Sequence, residues 1–371
     1  MKVSLKTFLF ALAVALAPQA VAQGQGGAGR PAPEDFALER RSEAEPKAVV
    51  SLCIASGDVV VRGWDRAEVR ARIRDAGALR LLTPNVRPAP RVEVLISEDK
   101  EVEPGSGDCG SNELVELMVP RGATVEVKSR SGHVEVADVA AARIEVLSGD
   151  VNVRRVSQSI EVSCLSGDVS VEDSSGPVRV ATISGDVEAR NVRNVAAGDD
   201  LEAKTQSGDV MLEAVRHGQV SGSAVSGQVL YTGSLARGGS YDFRTISGDV
   251  TMELPADSSF RLHAKVVISG EIDTDFPVRT TPTPRPAPTP MPHPPGTPTP
   301  APMPAPAPRP DPVIVVMPPQ APGVRHKPGK VKPPKEPKEP PTSARLDGTV
   351  GTGDAVVNLS SFSGSLHLKK R

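Results

Sequence analysis

Aromatic residues are scarce. Phe, Tyr and Trp make up 3% of the 371 residues, too few for a thick globular interior, which draws on side chains of large buried area. The interior expected here is thin and built mostly of Val. Three cysteines, Cys53, Cys109 and Cys164, cannot form a disulfide scaffold. Lys and Arg number 43 against 45 Asp and Glu, so there is no electrostatic case for nucleic acid or an anionic membrane as partner. Helical periodicity is absent throughout. So is any apolar run of the ~20 residues that a membrane span needs.

The N-terminus does carry a short apolar run. In "MKVSLKTFLFALAVALAPQAVAQ", Lys2 and Lys6 precede an apolar stretch from Phe8 to Ala17, and Ala20-Val21-Ala22 is a small-x-small cleavage pattern. Residues 1–22 are expected to be a signal peptide, and 23–47 a disordered linker. Export makes one bridge, between Cys53 and Cys109, chemically permissible. No cysteine follows the cleavage point, which argues against a lipid-anchored start. The expected location is the periplasm or the cell surface.

What the chain has in plenty is a tetrapeptide. Ser-Gly-Asp-Val begins at Ser56, Ser148, Ser166, Ser184, Ser207 and Ser247, with looser copies at Ser131, Ser175, Ser226, Ser269 and Ser363. Leaving Ser175 aside, successive serines from Ser131 to Ser269 are 17, 18, 18, 23, 19, 21 and 22 residues apart. Around them, "VEV", "VNV", "VSV" and "IEV" alternate apolar and polar residues, the period of strands buried on one face. Glycine between Ser and Asp suits a type II turn, whose third position needs a positive φ. The expected fold is all-β: a single-domain parallel β-solenoid with coils of about 18–22 residues. An antiparallel meander fits less well, because one corner keeps its letters while the other ("EDSSG", "VRHGQ", "LARGG") varies. About ten coils at ~4.8 Å give a rod near 50 Å long. The solenoid is expected over 48–276, with its first coil at 49–74 and a degenerate N-terminal cap at 75–120.

"SGDVVVRGWDRAEV", the "VP" at 119–120 followed by "SGHVEV", the recurrent "SGDV" and the closing "GTVGTGDAVVNLSSFSGSLHLKK" together resemble the bacterial DUF4097 family, whose members carry the label of adhesins. The resemblance covers roughly 45–275 and 345–371. It implies a β-solenoid of the cell envelope and brings no catalytic residues with it.

Residues 277–341 are of another kind, holding 26 of the 37 prolines. Such sequence lacks ladder donors and favours extended conformations. A disordered insertion is expected, with 342–371 returning as a final coil that caps the stack. Within the insertion, "PVIVVM" (312–317) is a short apolar strand candidate, and the basic run Arg325–Lys338 suits an acidic polymer.

Candidate chemistry is sparse. His133, His217, His263, His293, His326 and His367 show no metal-ligand spacing with one another or with Cys, and no nucleophile elbow is present. Asp150, Asp168 and Asp186 would stack in neighbouring coils, a row that suggests calcium or a polysaccharide lyase. His133, Pro177 and Gln228 interrupt that row. The nine-residue spacing 166, 175, 184 lacks the "GGxGxD" pattern of calcium-binding β-rolls. The aspartates are therefore expected to be architectural, and Cys164 a core residue. No catalytic, cofactor or metal residues and no cofactor are expected. The functional expectation is a non-enzymatic envelope protein whose flat faces, with Glu135, Asn152, Ser170, Arg179 and Glu188, bind an envelope protein or a polysaccharide. The rivals are a lyase-like enzyme and a partner of an envelope-stress system.

Overall fold

The structure, a computed structural model, describes residues 36–75, 77–97, 109–280 and 343–371. In each repeat the alternating pattern gives a strand one inward and one outward row. In Ala141–Ser148, Ala142, Ile144 and Val146 are buried while Arg143, Glu145 and Leu147 face out. A short second strand follows the Ser-Gly corner and buries its own valines, such as Val151 and Val153. The two legs of each coil close over one continuous apolar core. The chain is all-β, with parallel pairing from coil to coil.

Among the described residues eleven coils stack along the axis. Coil 1 uses Ala89–Ser97 and Gly110–Pro120, and coil 2 lies within Leu38–Trp64. Coils 3 to 6 are Thr124–Ser131 with Val134–Ala137, Ala141–Ser148 with Val151–Arg154, Ser159–Ser166 with Val169–Glu172, and Val178–Ser184 with Val187–Arg190. Coils 7 to 9 are Asp200–Ser207 with Val210–Glu213, Gln219–Ser226 with Val229–Thr232, and Ser240–Ser247 with Val250–Leu254. Coil 10 is Ala355–Ser363 with Leu366–Lys370, and coil 11 is Phe260–Ser269 with Ile272–Thr274. Ten steps of ~4.8 Å make the stack about 48 Å long.

The order along the axis is not the order along the chain. Coil 2 lies between coils 1 and 3, pairing in parallel with both, so the segment read as the first coil is the second. At the other end, Ala355–Ser363 pairs in parallel with Ser240–Ser247 on one side and Phe260–Ser269 on the other. The last coil in sequence is thus the tenth, and the expectation that it caps the stack is corrected. Both ends carry antiparallel strands instead. Glu68–Ile73 pairs with residues 38–43 and with coil 1, and Ala344–Val350 pairs with Phe260–Ser269. Antiparallel cover shields the outer edges of Gly110–Pro120 and Phe260–Ser269, while Ile272–Thr274 pairs on one side only, with Leu366–Lys370.

Two boundaries also move. Residues from Leu38 onward are strand, not linker, because 38–43 find a partner in Glu68–Ile73. Arg279 and Thr280 pair with Thr349 and Gly348, so ladder structure extends past 276. The signal peptide, "PVIVVM", His293, His326 and the basic run Arg325–Lys338 lie outside the described residues.

The core is mostly Val, as its thinness requires, until it widens at coils 8 to 11. There Tyr231, Tyr241, Phe243 and Phe260 are fully buried. Tyr231 packs against Tyr241 and Phe243 with ring centroids 5.6 and 5.3 Å apart, and the Tyr241 hydroxyl donates to the His217 carbonyl at 3.0 Å. Cys53 and Cys109 form a disulfide, which ties coil 2 to the start of the second strand of coil 1.

Candidate binding surface

Every coil turns at the same corner, and its polar groups can be accounted for one by one. The corner glycines from Gly57 to Gly364 have φ between +116° and +147°. That is well beyond the +80° of a type II turn, so the expected turn is replaced by an extended bend open only to glycine. A Cβ built on Gly185 would lie 2.1 Å from the Gly167 carbonyl oxygen of the coil before. The glycine amide donates to the serine carbonyl of the next coil, as Gly185 does to Ser207 at 2.9 Å. Its carbonyl accepts a buried hydroxyl from that coil: Thr205 donates to Gly185 at 2.9 Å and Thr245 to Gly227 at 3.1 Å. Cys164 occupies this row, its Sγ 3.6 Å from the Gly149 oxygen, and burial pushes its thiol pKa up.

The aspartates complete the corner. Oδ1 of Asp150 accepts the amide of Asp168 at 3.0 Å, Asp168 that of Asp186 at 2.8 Å, and Asp186 that of Asp209 at 2.7 Å. Asp58, Asp209 and Asp249 do the same for His133, Gln228 and Ser365. Each carboxylate stands in for the ladder carbonyl that the bend turns away. The row is interrupted at His133, Gln228 and Ser365; Pro177 belongs to the opposite corner, as does Ser175. Among the described residues no group of three or more His, Cys, Asp and Glu side chains is placed to hold a metal ion.

The opposite corner is more regular than its letters suggest. Asp138, Arg155, Asp173, Asn191 and Ala214 all take φ between 50° and 62°, and Val139, Val156, Val192 and Val215 follow them into the core. Arg155 donates to both oxygens of Asp138, at 2.9 and 2.8 Å, which holds that carboxyl below its usual pKa. His217 sits here, fully buried. Its Nε2 donates to the Gly176 carbonyl at 2.9 Å, and its Nδ1 is buried without a partner among the described residues. Burial lowers its pKa. The other described histidines are outward: His133 lies 3.6 Å from Asp150, His263 pairs with Asp347 at 2.9 Å, and His367 lies on coil 10.

Of the face residues read from sequence, Glu135, Asn152, Ser170 and Glu188 form one outward row on the second leg. Arg179 is on the first leg, where it pairs with Asp200 at 2.9 Å. A groove beside the second-leg row is lined by His133, Asp150, Asp168, Asp186 and Glu188, with no arginine among its lining residues.

The first leg carries a feature the sequence reading missed. The residue before the corner serine faces outward, yet it is Leu147, Leu165, Ile183, Val225, Ile246 and Phe362 in coils 4, 5, 6, 8, 9 and 10. Leu147 is 53% exposed, Ile246 50% and Phe362 46%. Val267 and Ile268 continue the row in coil 11, and Gln206 interrupts it in coil 7. Among the described residues eight of the ten exposed large apolar side chains fall on this one line, so they are not the single scattered residues of an ordinary surface. Their outward phase within a period-two strand was the signal that could have revealed them. Among the described residues no helix is long and apolar enough to cross a membrane.

No curated protein matches this chain. One solved structure, described as a "putative cell adhesion protein" from Clostridium sporogenes, is 10% identical and covers 90% of this chain and 99% of its own. Its TM-score is 0.19, too low for residues of one to be read onto the other. The profile of the family described as Toastrack DUF4097 matches residues 46–228 and 110–283, well over half the chain. The chain is a member of the Toastrack DUF4097 family.

Proposed function

We propose that the chain is an exported, non-enzymatic rod of the cell envelope that acts as a binding or scaffolding surface. The observation that carries this reading is the outward apolar row on the first leg. A strand face turned to water has no structural need for Leu, Ile, Val and Phe on one row in seven of eight successive coils, whereas a face that docks a partner does. The solenoid makes the row rigid, since each coil is held to its neighbours through both legs and through the corner. The groove lined by Asp150, Asp168, Asp186 and Glu188 is what an enzyme acting on polysaccharide would use. The surface reading is preferred because one oxygen of each of those aspartates already holds a backbone amide.

The test is chemical cross-linking in intact cells followed by purification of the tagged chain. It compares the parent with a variant carrying Ile183→Lys and Ile246→Lys. Partner peptides recovered with the parent and lost with the variant are expected. Equal recovery from both would remove the apolar row from the reading. Polysaccharide cleavage by the purified chain, abolished by Asp168→Asn, would replace it with the enzyme.

A further inference from the structure

The stack ends in four legs, two at each end, and three of them are covered. Ala78–Leu82 runs antiparallel along Ala89–Ser97, Glu68–Ile73 along Gly110–Pro120, and Ala344–Val350 along Phe260–Ser269. Each cover is a strand of the same chain. The fourth leg, Ile272–Thr274, has Leu366–Lys370 on one side and, among the described residues, no strand on the other. The Glu271 carbonyl accepts the Leu366 amide at 2.8 Å, and the Asp275 amide donates to the Leu368 carbonyl at 3.0 Å. Alternate residues of such a strand turn their peptide groups to opposite edges. Glu271, Asp273 and Asp275 therefore face coil 10, and Ile272 and Thr274 present their N–H and C=O groups at the open edge. Ile272 is also only partly buried against the core. An edge of this kind is a template for one more strand.

The surroundings discriminate between occupants. Glu271, Asp273 and Asp275 are exposed, and none of them is in an ion pair among the described residues, although Asp273 lies level with His367 and Asp275 accepts the Lys370 amide. A second copy paired antiparallel about Asp273 would set that carboxylate against its own counterpart and Glu271 against Asp275, an unfavourable match. Residues 281–342 have the opposite balance, with eight Lys and Arg against three Asp and Glu. Within them adjacent β-branched residues occur only at Val313–Val316, the composition that a strand favours. Pro312 and Pro318 bound this run and cannot donate to a ladder.

We propose that Val313–Met317, which lies outside the described residues, pairs antiparallel along Ile272–Thr274 and covers the fourth leg. The same chain would then cover all four legs by one device. The tether permits it. The chain passes Thr280 six residues after the edge, and 32 residues separate Thr280 from Val313, with 25 more between Met317 and residue 343. At ~3.1 Å per residue these reach about 100 and 80 Å, well beyond the length of the rod. A tethered strand also meets the edge as an intramolecular partner, so a free strand has to exceed its effective concentration. The pairing is independent of the apolar row, and the eleven coils do not need it to form.

Hydrogen exchange of the full chain, read by mass spectrometry on peptides spanning 271–278, tests the pairing. The parent is compared with Val315→Pro, which removes a donor from the middle of the run, and with a chain in which a Gly-Ser linker replaces 281–342. The amides of Ile272 and Thr274 are expected to exchange about tenfold faster or more in both variants. Peptides from Ser159–Glu172 and the circular dichroism should stay unchanged. A synthetic peptide of residues 311–319 added to the linker chain should restore the slow exchange. Equal exchange at 271–278 in the parent and Val315→Pro overturns the proposal, whether or not the linker chain folds. So does slow exchange that grows with protein concentration and survives Val315→Pro, which would make a second copy the occupant.

Discussion

Oδ1 of Asp249 accepts the backbone amide of Ser365 at 2.7 Å, across 116 residues of chain. The same bond joins Asp168 to Asp186, which are only 18 residues apart. The corner is therefore indifferent to how far the chain travels between coils, and it reads only the Ser-Gly-x unit that arrives. That is why coil 10 can be supplied from beyond residues 281–342 and still continue every row.

The corner glycine tolerates no side chain. Gly185→Ala is expected to destabilise by about 2 kcal/mol or more, because φ is +141° and the new Cβ would meet the Gly167 carbonyl oxygen at 2.1 Å. Gly198→Ala is the control. Nothing lies within 4 Å of a Cβ there, and the change should stay within about 0.5 kcal/mol. Gly239, in the variable corner, is less suitable, since its Cβ would sit 2.8 Å from the Tyr241 ring. Denaturant unfolding decides it; equal midpoints for Gly185→Ala and Gly198→Ala would contradict the account.

The aspartate acts as an acceptor and not as a charge. Asp168→Asn keeps an oxygen for the Asp186 amide and should retain most of the stability. Asp168→Ala leaves that amide without its partner and should cost about 1–3 kcal/mol. Chelator should leave the melting temperature of the parent unchanged. A rise of several degrees on adding calcium, absent in Asp168→Ala, would show that the row also binds metal.

His217 gives the fold a dependence on pH. Burial holds its pKa below the usual 6.5, so between those values the unfolded chain takes up a proton that the folded chain does not. Stability is then complete above about pH 6.5 and falls as pH drops below it. Arg155 acts on Asp138 in the same direction, but only below the usual carboxyl value of 3.8, because that pKa is also depressed. Melting temperatures between pH 7.5 and 5 should fall for the parent and flatten for His217→Gln. A parallel decline in both would assign the effect to other groups.

Removing 281–342 should leave the fold intact. Thr280 pairs with Gly348, so residue 343 lies about five residues back along the antiparallel partner, roughly 17 Å away. A Gly-Ser linker of about eight residues spans that gap, and shortening the loop lowers its closure entropy slightly. Ending the chain at Thr280 is the contrasting variant. It removes the coil between Ser240–Ser247 and Phe260–Ser269, and coil 11 should lose its place. Circular dichroism and thermal unfolding separate the two, and an unfolded internal deletion would make 281–342 structural.

Much of this was legible in the sequence. The alternation of "IEV" and "VNV" names strand and buried face directly, and the Ser-Gly-Asp unit marks each corner. The sequence of coils at the ends was not legible. Coil 1 turns at Ser111, where "GSN" lacks the repeat letters, and its neighbour is set by pairing across 55 residues. The opposite corner hid its regularity because residues as different as Asp138, Arg155 and Ala214 adopt one left-handed conformation. The stack imposes that backbone, and no single residue type records it.

Placing the first and last strands inside the stack has a mechanical consequence. Tension applied between Val49 and Leu368 would load coils 2 and 10, each bonded to a coil on both sides. Such strands cannot be peeled off one hydrogen bond at a time from an outer edge. Both of their ladders must yield together, and the corner bond from Asp249 to Ser365 is among those that resist. A rod held at its ends in this way behaves as a clamp, stiffest where a pulling force would enter it.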